Sequence, residues 1–328
     1  VFLQCRTENN FFFPRLKGAE LQRHKETFVT LNLCNFVTNQ KTTKMQKITI
    51  LIHCKDQKGI IAAVTTFIAK VEGNITYIDQ HVDVEQNVFF MRLECELTNP
   101  KTTIDGLKAD FDQTIATDFG MSWNLYNQEQ KPKMALFVSK YDHCLFDILG
   151  RYSAGELNIE IPVIISNHND LRSVAERFNI PYHCVPFTKD NKEEGEAKQI
   201  ELLKRYDINF IVLARYMQII TPNLISLYQN KIINIHHSFL PAFPGAKPYH
   251  SAFKRGVKII GATSHYVTEE LDEGPIIEQD ITRVSHIHSI EDFIMKGRDL
   301  ERIVLARAIK LHAERKTMVY SNKTVVFS

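Results

Sequence analysis

An amide, an imidazole and a carboxylate toward the end of the chain could together carry out acyl chemistry: Asn234, His236 and Asp272. Lys231-Ile232-Ile233-Asn234-Ile235-His236 is a short apolar run that reads as a buried strand. Side chains two apart on a strand share a face, so Asn234 and His236 are expected to sit together, with His237 facing away. Pro241, Pro244, Gly245 and Pro248 then force an irregular loop. A second strand, Gly261–Val267, leads into the acidic turn Glu269-Glu270-Leu271-Asp272-Glu273-Gly274, and Pro275-Ile276-Ile277 starts another. The three groups thus fall at strand ends and in adjoining loops. Such a set can stabilise an oxyanion, transfer a proton and orient the imidazole. A lone histidine at a strand end is more often structural; the face shared with Asn234 sets His236 apart.

This stretch is similar to the active-site segment of the folate-dependent formyltransferase family. That family's signature is an Asn-x-His strand, a Ser-x-Leu-Pro loop and a later Asp just before Gly-Pro-Ile. Here these are Asn234 and His236, Ser238-Phe239-Leu240-Pro241, Asp272, and Gly274-Pro275-Ile276. The resemblance runs from about Lys133 to the C-terminus, and the wording after Asn234 resembles the hydrolytic branch most. It implies that Asn234 holds the formyl oxygen and that His236 stabilises or protonates developing charge. Asp272 would orient and charge-balance His236 and help position the attacking water. It also implies a folate pocket built from Met217, Gln218, Ile219, Ile220, His265, Thr268, Glu269, Glu270 and Leu271. A flat, polar-edged pterin suits backbone groups in an apolar slot. Relatives often carry Arg where Gln218 stands, which changes side-chain contacts but not backbone ones. The plainer alternative is that Tyr216–Ile220 only packs the core ahead of a helix.

Departures from the family bear on the acceptor. A transferase using glycinamide ribonucleotide has a glycine-rich turn after its first strand, whose N–H groups cradle the phosphate. The corresponding stretch here, Val138–Cys144, contains no glycine, and Asp142 would repel a phosphate. The loop Gly245-Ala246-Lys247-Pro248-Tyr249-His250 also departs from the transferase version. Water is therefore the expected acceptor: 10-formyltetrahydrofolate would give tetrahydrofolate and formate, balancing one-carbon pools and supplying formate for purine biosynthesis. Lys140 and Lys247 keep the glycinamide ribonucleotide transferase open as an alternative. A catalytically silent folate or amino-acid sensor is an alternative of another class. His237, His250, His265, His286 and His288 make the region histidine-rich. With neither an HExxH helix nor a cysteine partner, and with a family that works without metal, no metal is expected. No cofactor is expected besides the folate substrate.

The elements that must position these groups alternate. Strands at Met134–Ser139, Ile161–Ser166, His183–Pro186 and Asn209–Ala214 are separated by helices at Cys144–Tyr152, Leu171–Phe178 and Lys192–Tyr206. That order predicts an α/β fold with a doubly wound, mostly parallel sheet over 133–328. Thr221-Pro222 reads as a helix N-cap and N1 proline. Ser289–Glu314 reads as a long amphipathic helix, and Met318–Tyr320 with Thr324–Phe327 as a closing hairpin.

Upstream, residues 45–127 read as a smaller βαββαβ unit, the ferredoxin-like order. Its parts are a strand at Ile48–His53, a helix at Ile60–Val71 ended by Gly73, a hairpin at Ile75–Val84 and Val88–Leu97, a helix at Thr103–Phe119 and a strand at Ser122–Tyr126. It resembles an ACT domain. The resemblance implies an amino-acid effector, glycine or methionine being first candidates, bound by Asp56, Gln57, Lys58, Gly59, Ile60, Asn74 and Ile75. It also implies a homo-oligomer. The alternative is a domain that only makes subunit contacts. Residues 128–132 read as a linker, and 1–44 as a disordered lead or start-site artefact.

Composition narrows the class. A chain of 328 residues suggests two domains, and 44% hydrophobic with 24% charged residues is ordinary for a globular protein. A net charge of +2 gives no case for nucleic acid or a membrane surface. The six cysteines are scattered without a CxxC pair, which fits a reducing cytoplasm rather than a disulfide framework or zinc ribbon. No apolar run reaches the roughly 18 residues of a membrane span.

Overall fold

The computed structural model describes residues 46–98, 103–186, 192–242 and 248–328. The expected lead (1–44), and Pro244, Gly245 and Lys247 of the loop after the Asn234–His236 strand, lie outside the described residues. The described residues all belong to one compact unit.

Its N-terminal part runs β1 (Gln46–Lys55), α1 (Ile60–Lys70), β2 (Gly73–Asp83), β3 (Val88–Leu97), α2 (Ile104–Phe111) and β4 (Ser122–Asn127). The strands pair antiparallel in the order β2-β3-β1-β4. Alternation does the sorting. Ile48, Ile50, Ile52 and Cys54 of β1, with Phe89, Met91, Leu93 and Cys95 of β3, face the helices. From α1 they receive Ile60, Val64, Phe67 and Ile68, one stripe of a 3.6-residue period.

Two local expectations change. The left-handed residue after α1 is Glu72, at φ 57°, not Gly73. Gly73 is required for space: a Cβ there would lie 2.7 Å from Ile68 Cγ2. The helix expected over 103–119 passes from α2 through a π-helical segment (Asp112–Ala116) into a last turn, α3 (Thr117–Phe119). Thr114 and Thr117 there donate back to the carbonyls of Asp110 and Asp112, which competes with the regular ladder.

The second part is a seven-stranded sheet, adding β5 (Lys133–Val138), β6 (Glu160–Ser166), β7 (Tyr182–Cys184), β8 (Phe210–Ala214), β9 (Ile232–His236), β10 (Ile259–Tyr266) and β11 (Ile276–Arg283) in the order β11-β10-β9-β8-β5-β6-β7. Strands β5 to β9 pair parallel, and β10 runs antiparallel to both its neighbours. β5 is apolar throughout because both its faces are covered: Met134, Leu136 and Val138 join one core and Ala135 and Phe137 the other. The covering helices are α4 (His143–Ser153), α5 (Arg172–Arg177), α6 (Lys192–Arg205), α7 (Pro222–Leu227), α8 (Pro248–Arg255) and α9 (Ile290–Ala313). Ser289 and Asp292 close a capping box on α9. Thr221 is the N-cap of α7 by backbone only; its hydroxyl donates to the buried Glu196 carboxylate instead.

The two parts share a third core. The final hairpin, β12 (Thr317–Tyr320) and β13 (Lys323–Val326), packs Met318 and the following Phe327 against Leu51, Val88 and Phe90, on the sheet face away from α1. Arg92 of β3, 2% exposed, donates to the carbonyls of Arg315 (2.9 Å) and Glu314 (3.1 Å). A cation thus closes the C-terminal end of α9, where the helix dipole is negative.

Candidate active site

β9 is a strand because Ile232, Ile233 and Ile235 fill both faces of the sheet interior. Its register fixes the neighbours. Leu213 lies beside Asn234 on β8; Thr263 lies opposite His236 and His265 opposite Asn234 on β10. Asp272 arrives on the loop between β10 and β11. That loop is tight: Tyr266 N–H donates to Pro275 O (2.9 Å), and a Cβ at position 274 would lie 1.8 Å from Tyr266 O. Only glycine fits there, which gives the Gly274-Pro275 pair its physical reason. Asp272 itself is left-handed at φ 59°. Asn322, in the β12–β13 turn, donates to Glu273 O at 2.8 Å and holds the loop from outside.

Asp272 Oδ2 lies 3.2 Å from His236 Nδ1, and its Oδ1 lies 3.7 Å from His265 Nε2. A carboxylate only accepts, so His236 carries a proton on Nδ1. Its Nε2 is buried and has no hydrogen-bond partner. His265 Nδ1–H donates to Tyr266 O (2.9 Å), which leaves its Nε2 to accept from the Asn234 amide at 3.2 Å. Asn234 keeps a second N–H for another acceptor. Burial pushes Asp272 up, but the hydrogen bond from His236 and positive charge on the neighbouring imidazoles hold its carboxyl well below the usual carboxylate range. Asn234, His236, His265 and Asp272 are therefore one connected group. His237 does not turn away as strand alternation suggests: β9 ends at His236, and the two rings lie 5.2 Å apart.

The residues expected to line a folate pocket divide. Tyr216 is 2% exposed and, with Ile220, packs into the core, whereas Met217, Ile219 and Leu271 are 50%, 66% and 67% exposed. Core packing accounts for the first pair but not for three open apolar side chains. Gln218 and Thr268 are half-buried, and Glu269 and Glu270 exposed. A cleft of about 1510 Å³ lies elsewhere, lined by residues that include Leu51, Tyr126, Tyr266, His312 and Arg315.

The expected effector residues do not converge within one chain. Lys55 and Gly73 sit level with Val88 and Leu97, at opposite ends of β3. Asp56, Gln57, Lys58, Gly59 and Ile60 are thus separated from Asn74 and Ile75 by about 30 Å of strand, at about 3.3 Å per residue. β1 and β2 both run antiparallel to β3, so the end of one and the start of the other cannot meet.

One group was not legible as a site in the sequence. Glu301 of α9, 1% exposed, accepts from Tyr249 Oη at 2.7 Å, lies 2.8 Å from His143 Nε2 and pairs with Arg215 Nε at 3.5 Å. The available signal was a carboxylate on the apolar stripe of a helix, between Gly297 and Leu305. His143, Cys144 and Glu301 bring possible metal ligands within 4.8 Å of one another. The donor set suits a metal poorly. Burial and the Glu301 charge push the Cys144 thiol up, so it stays protonated, and Arg215 already supplies the counter-charge.

A doubly wound sheet with an Asn-His-Asp group at the edge of its parallel part, behind a four-stranded ferredoxin-like sheet, defines a formyl transferase domain joined to an ACT domain. The Formyl transferase family profile matches residues 132–309, and that of the ACT domain residues 48–110. The chain is 52% identical over 280 residues to a formyltetrahydrofolate deformylase of Synechocystis sp., spanning 85% of this chain and 98% of that one. It is 49% identical to one of Bacillus subtilis, spanning 85% and 93%. The crystal structure of a formyltetrahydrofolate deformylase from Pseudomonas syringae pv. tomato superposes with a TM-score of 0.84 at 46% identity, over 88% of this chain and 97% of that one. A glycinamide ribonucleotide transformylase from Symbiobacterium toebii gives 0.58 at 28% identity, over 62% and 98%. The chain belongs to the formyltetrahydrofolate deformylase family.

Proposed function

We propose that the chain hydrolyses 10-formyltetrahydrofolate to tetrahydrofolate and formate, with Asn234, His236 and Asp272 as its catalytic residues. It is a hydrolase of a linear amide C–N bond. The observation that carries the residue assignment is the His236–Asp272 pair, whose other ring nitrogen, His236 Nε2, is buried without a hydrogen-bond partner two residues along β9 from Asn234.

In this reading the formyl oxygen meets the free N–H of Asn234. Water adds to the formyl carbon as His236 Nε2 takes one of its protons, and the C=O pair moves onto oxygen. Asn234 and His236 stabilise that oxyanion; removing one such donor typically costs about 10²–10³ in rate. The C–N10 bond then breaks, N10 takes a proton from His236, and the carbon leaves as formate. Asp272 holds the imidazole in its Nδ1–H tautomer and balances its charge when both nitrogens are protonated. His265 anchors Asn234. Met217, Ile219 and Leu271 offer the apolar surface for the folate ring, with backbone of 217–220 and 268–271 reading its polar edge. No metal or cofactor takes part in this scheme.

Formate released here would supply purine biosynthesis and tetrahydrofolate would return to the one-carbon pool. We assign the enzyme to a reducing cytoplasm; Cys54, Cys95, Cys144 and Cys184 are free thiols, and no described helix is long and apolar enough to cross a membrane. The ACT domain would bind an amino acid, with glycine and methionine the first ligands to try. Because the two groups of effector residues lie at opposite sheet ends, a complete site would take one group from each of two copies, which also makes a homo-oligomer the expected form. The deciding experiment is formate release from 10-formyltetrahydrofolate with and without glycinamide ribonucleotide. Steady release without the amine is the expected result; release only with it would overturn the reading.

A further inference from the structure

The helix α6 is polar along most of its length and buries only Gly195, Glu196, Gln199 and Leu203. Two of these four are polar: Glu196 is 7% exposed and Gln199 1%. Residues three apart on a helix share a face, so the carboxylate and the amide point the same way. Burying a polar group is unfavourable unless it is hydrogen-bonded, and burying a charge more so. The partners of both lie beyond the end of β8. Gln199 Nε2 donates to Tyr216 Oη at 2.6 Å. The Glu196 carboxylate accepts from the Thr221 hydroxyl, and from Asn223 Nδ2 at 3.3 Å.

Tyr216 and Thr221 are the two ends of the segment that joins β8 to α7. The segment is irregular: Arg215 and Met217 are left-handed at φ 60° and 58°, and among the described residues no backbone–backbone hydrogen bond involves 216–220. Left-handed backbone is unfavourable for residues with a Cβ, so side chains must hold this shape. At one end the Tyr216 ring stands edge-on to Phe137, with centroids 5.2 Å apart, and its hydroxyl is tied to Gln199. At the other, Ile220 packs into the same core and Thr221 is tied to Glu196. Between these anchors Met217 and Ile219 turn outward. The segment starts beside the reacting groups: Leu213 lies level with Asn234, and β8 ends one residue later at Ala214.

We propose that Glu196 and Gln199 are positioning residues for the folate ring: from α6 they fix both ends of 216–221 and so hold the open side chains of Met217 and Ile219 in the shape against which the ring packs. This rests on the folate-pocket reading given above. Neither residue touches the reacting atoms; each acts through the segment it anchors. A preformed surface need not be ordered when the ligand arrives, so loosening either end weakens binding of substrate and transition state alike. Such a uniform loss raises KM and leaves kcat unchanged.

The test is Gln199→Leu and Glu196→Ala, read by KM and kcat for formate release and by calorimetric titration with tetrahydrofolate. Each variant is expected to raise KM, and the Kd for tetrahydrofolate, about tenfold or more, with kcat within about threefold of wild type. Glu196→Gln keeps an acceptor for Thr221 and should bring both values back close to wild type. A purely structural role would lower the active fraction, and with it kcat, while leaving KM unchanged. That pattern, or wild-type KM and Kd in both variants, would overturn the proposal. Tyr216→Phe and Thr221→Val each delete one anchor with little change of volume, and they read the same contacts should the α6 variants fail to fold: raised KM and Kd support the proposal, and unchanged values overturn it. Ile219→Ala separates this inference from the reading it rests on. If I219A binds tetrahydrofolate as wild type does, the pocket reading fails; if it binds weakly while the α6 variants bind normally, the anchoring role alone fails.

Discussion

Replacing Asp272 with Asn keeps the shape of the loop and removes one charge 3.2 Å from His236 Nδ1. At an effective dielectric of about 20, a unit pair at that distance is worth about 5 kcal/mol. Only the charge that develops on the imidazole during reaction counts. With about half a proton transferred at the transition state, the loss is about 2.5 kcal/mol, or nearly a hundredfold in kcat. A second effect adds to this. The amide can turn an N–H toward Nδ1, which drives the ring proton to Nε2 and leaves the wrong tautomer facing the substrate. Together these place D272N about 10²–10⁴ below wild type in kcat, with KM for the folate little changed. Single-turnover formate release separates the chemical step from binding. The linkage sign adds a stability readout. The folded carboxyl titrates below its unfolded value, so its contribution is present above the unfolded value near 3.8 and is lost as pH falls from there through the lower folded value. D272N should therefore lose stability at neutral pH and show a flatter acid limb. A kcat within about threefold of wild type would refute the role given to Asp272.

Other predictions follow from single contacts. His312 is buried against Tyr266, and burial, with Arg315 and Lys231, brings it from 6.5 down to about 3. Its folded value is depressed, so the unfolded chain binds the proton first and stability falls as pH drops below 6.5 toward 3. About 2 kcal/mol should be gone by about pH 5 relative to neutral pH, and His312→Gln should remove that slope in urea midpoints; an unchanged slope would count against it. Gly297→Ala puts a methyl 2.1 Å from Tyr249 Cζ, so it should cost about 1–3 kcal/mol in denaturant unfolding and break the Tyr249–Glu301 bond. Asn322→Ala removes the bond to Glu273 O beside Asp272. It should lower kcat about three- to tenfold while changing stability by no more than about 1 kcal/mol; unaltered turnover would show that the hairpin does not position the loop.

What could be read from the sequence was local. Periods of 2 and 3.6 located the strands and helices because each has a face to bury, and the Asn234–His236 spacing placed the amide and imidazole at one strand end. What could not be read was register and closure. That His265 lies opposite Asn234 depends on antiparallel pairing between β9 and β10, which no local pattern encodes. Gly73 shows the same limit: glycine after a helix suggests a left-handed cap, yet this one is there because Ile68 crowds it, a contact made only when the helix docks. The separation of Asp56–Ile60 from Asn74 and Ile75 is likewise a matter of strand direction.

The choice of acceptor sits at a further remove. An Asn-His-Asp group stabilises a tetrahedral intermediate whether water or an amine has attacked, so these residues alone cannot distinguish hydrolysis from transfer. The absence of glycine between Val138 and Cys144 suggested a lost phosphate cradle, but an absence does not say what took its place. What meets His143 at that turn comes from α9, far along the chain, as one buried carboxylate. A buried charge is costly unless its partners are in place, and removing one partner leaves the other exposed to that cost. Glu301 is therefore intelligible only together with His143, Arg215 and Tyr249, which reach it from α4, the end of β8 and α8. The proposed catalytic groups are read from one strand and one loop, whereas the buried Glu301 cluster is assembled from four elements and becomes visible only when the chain is folded.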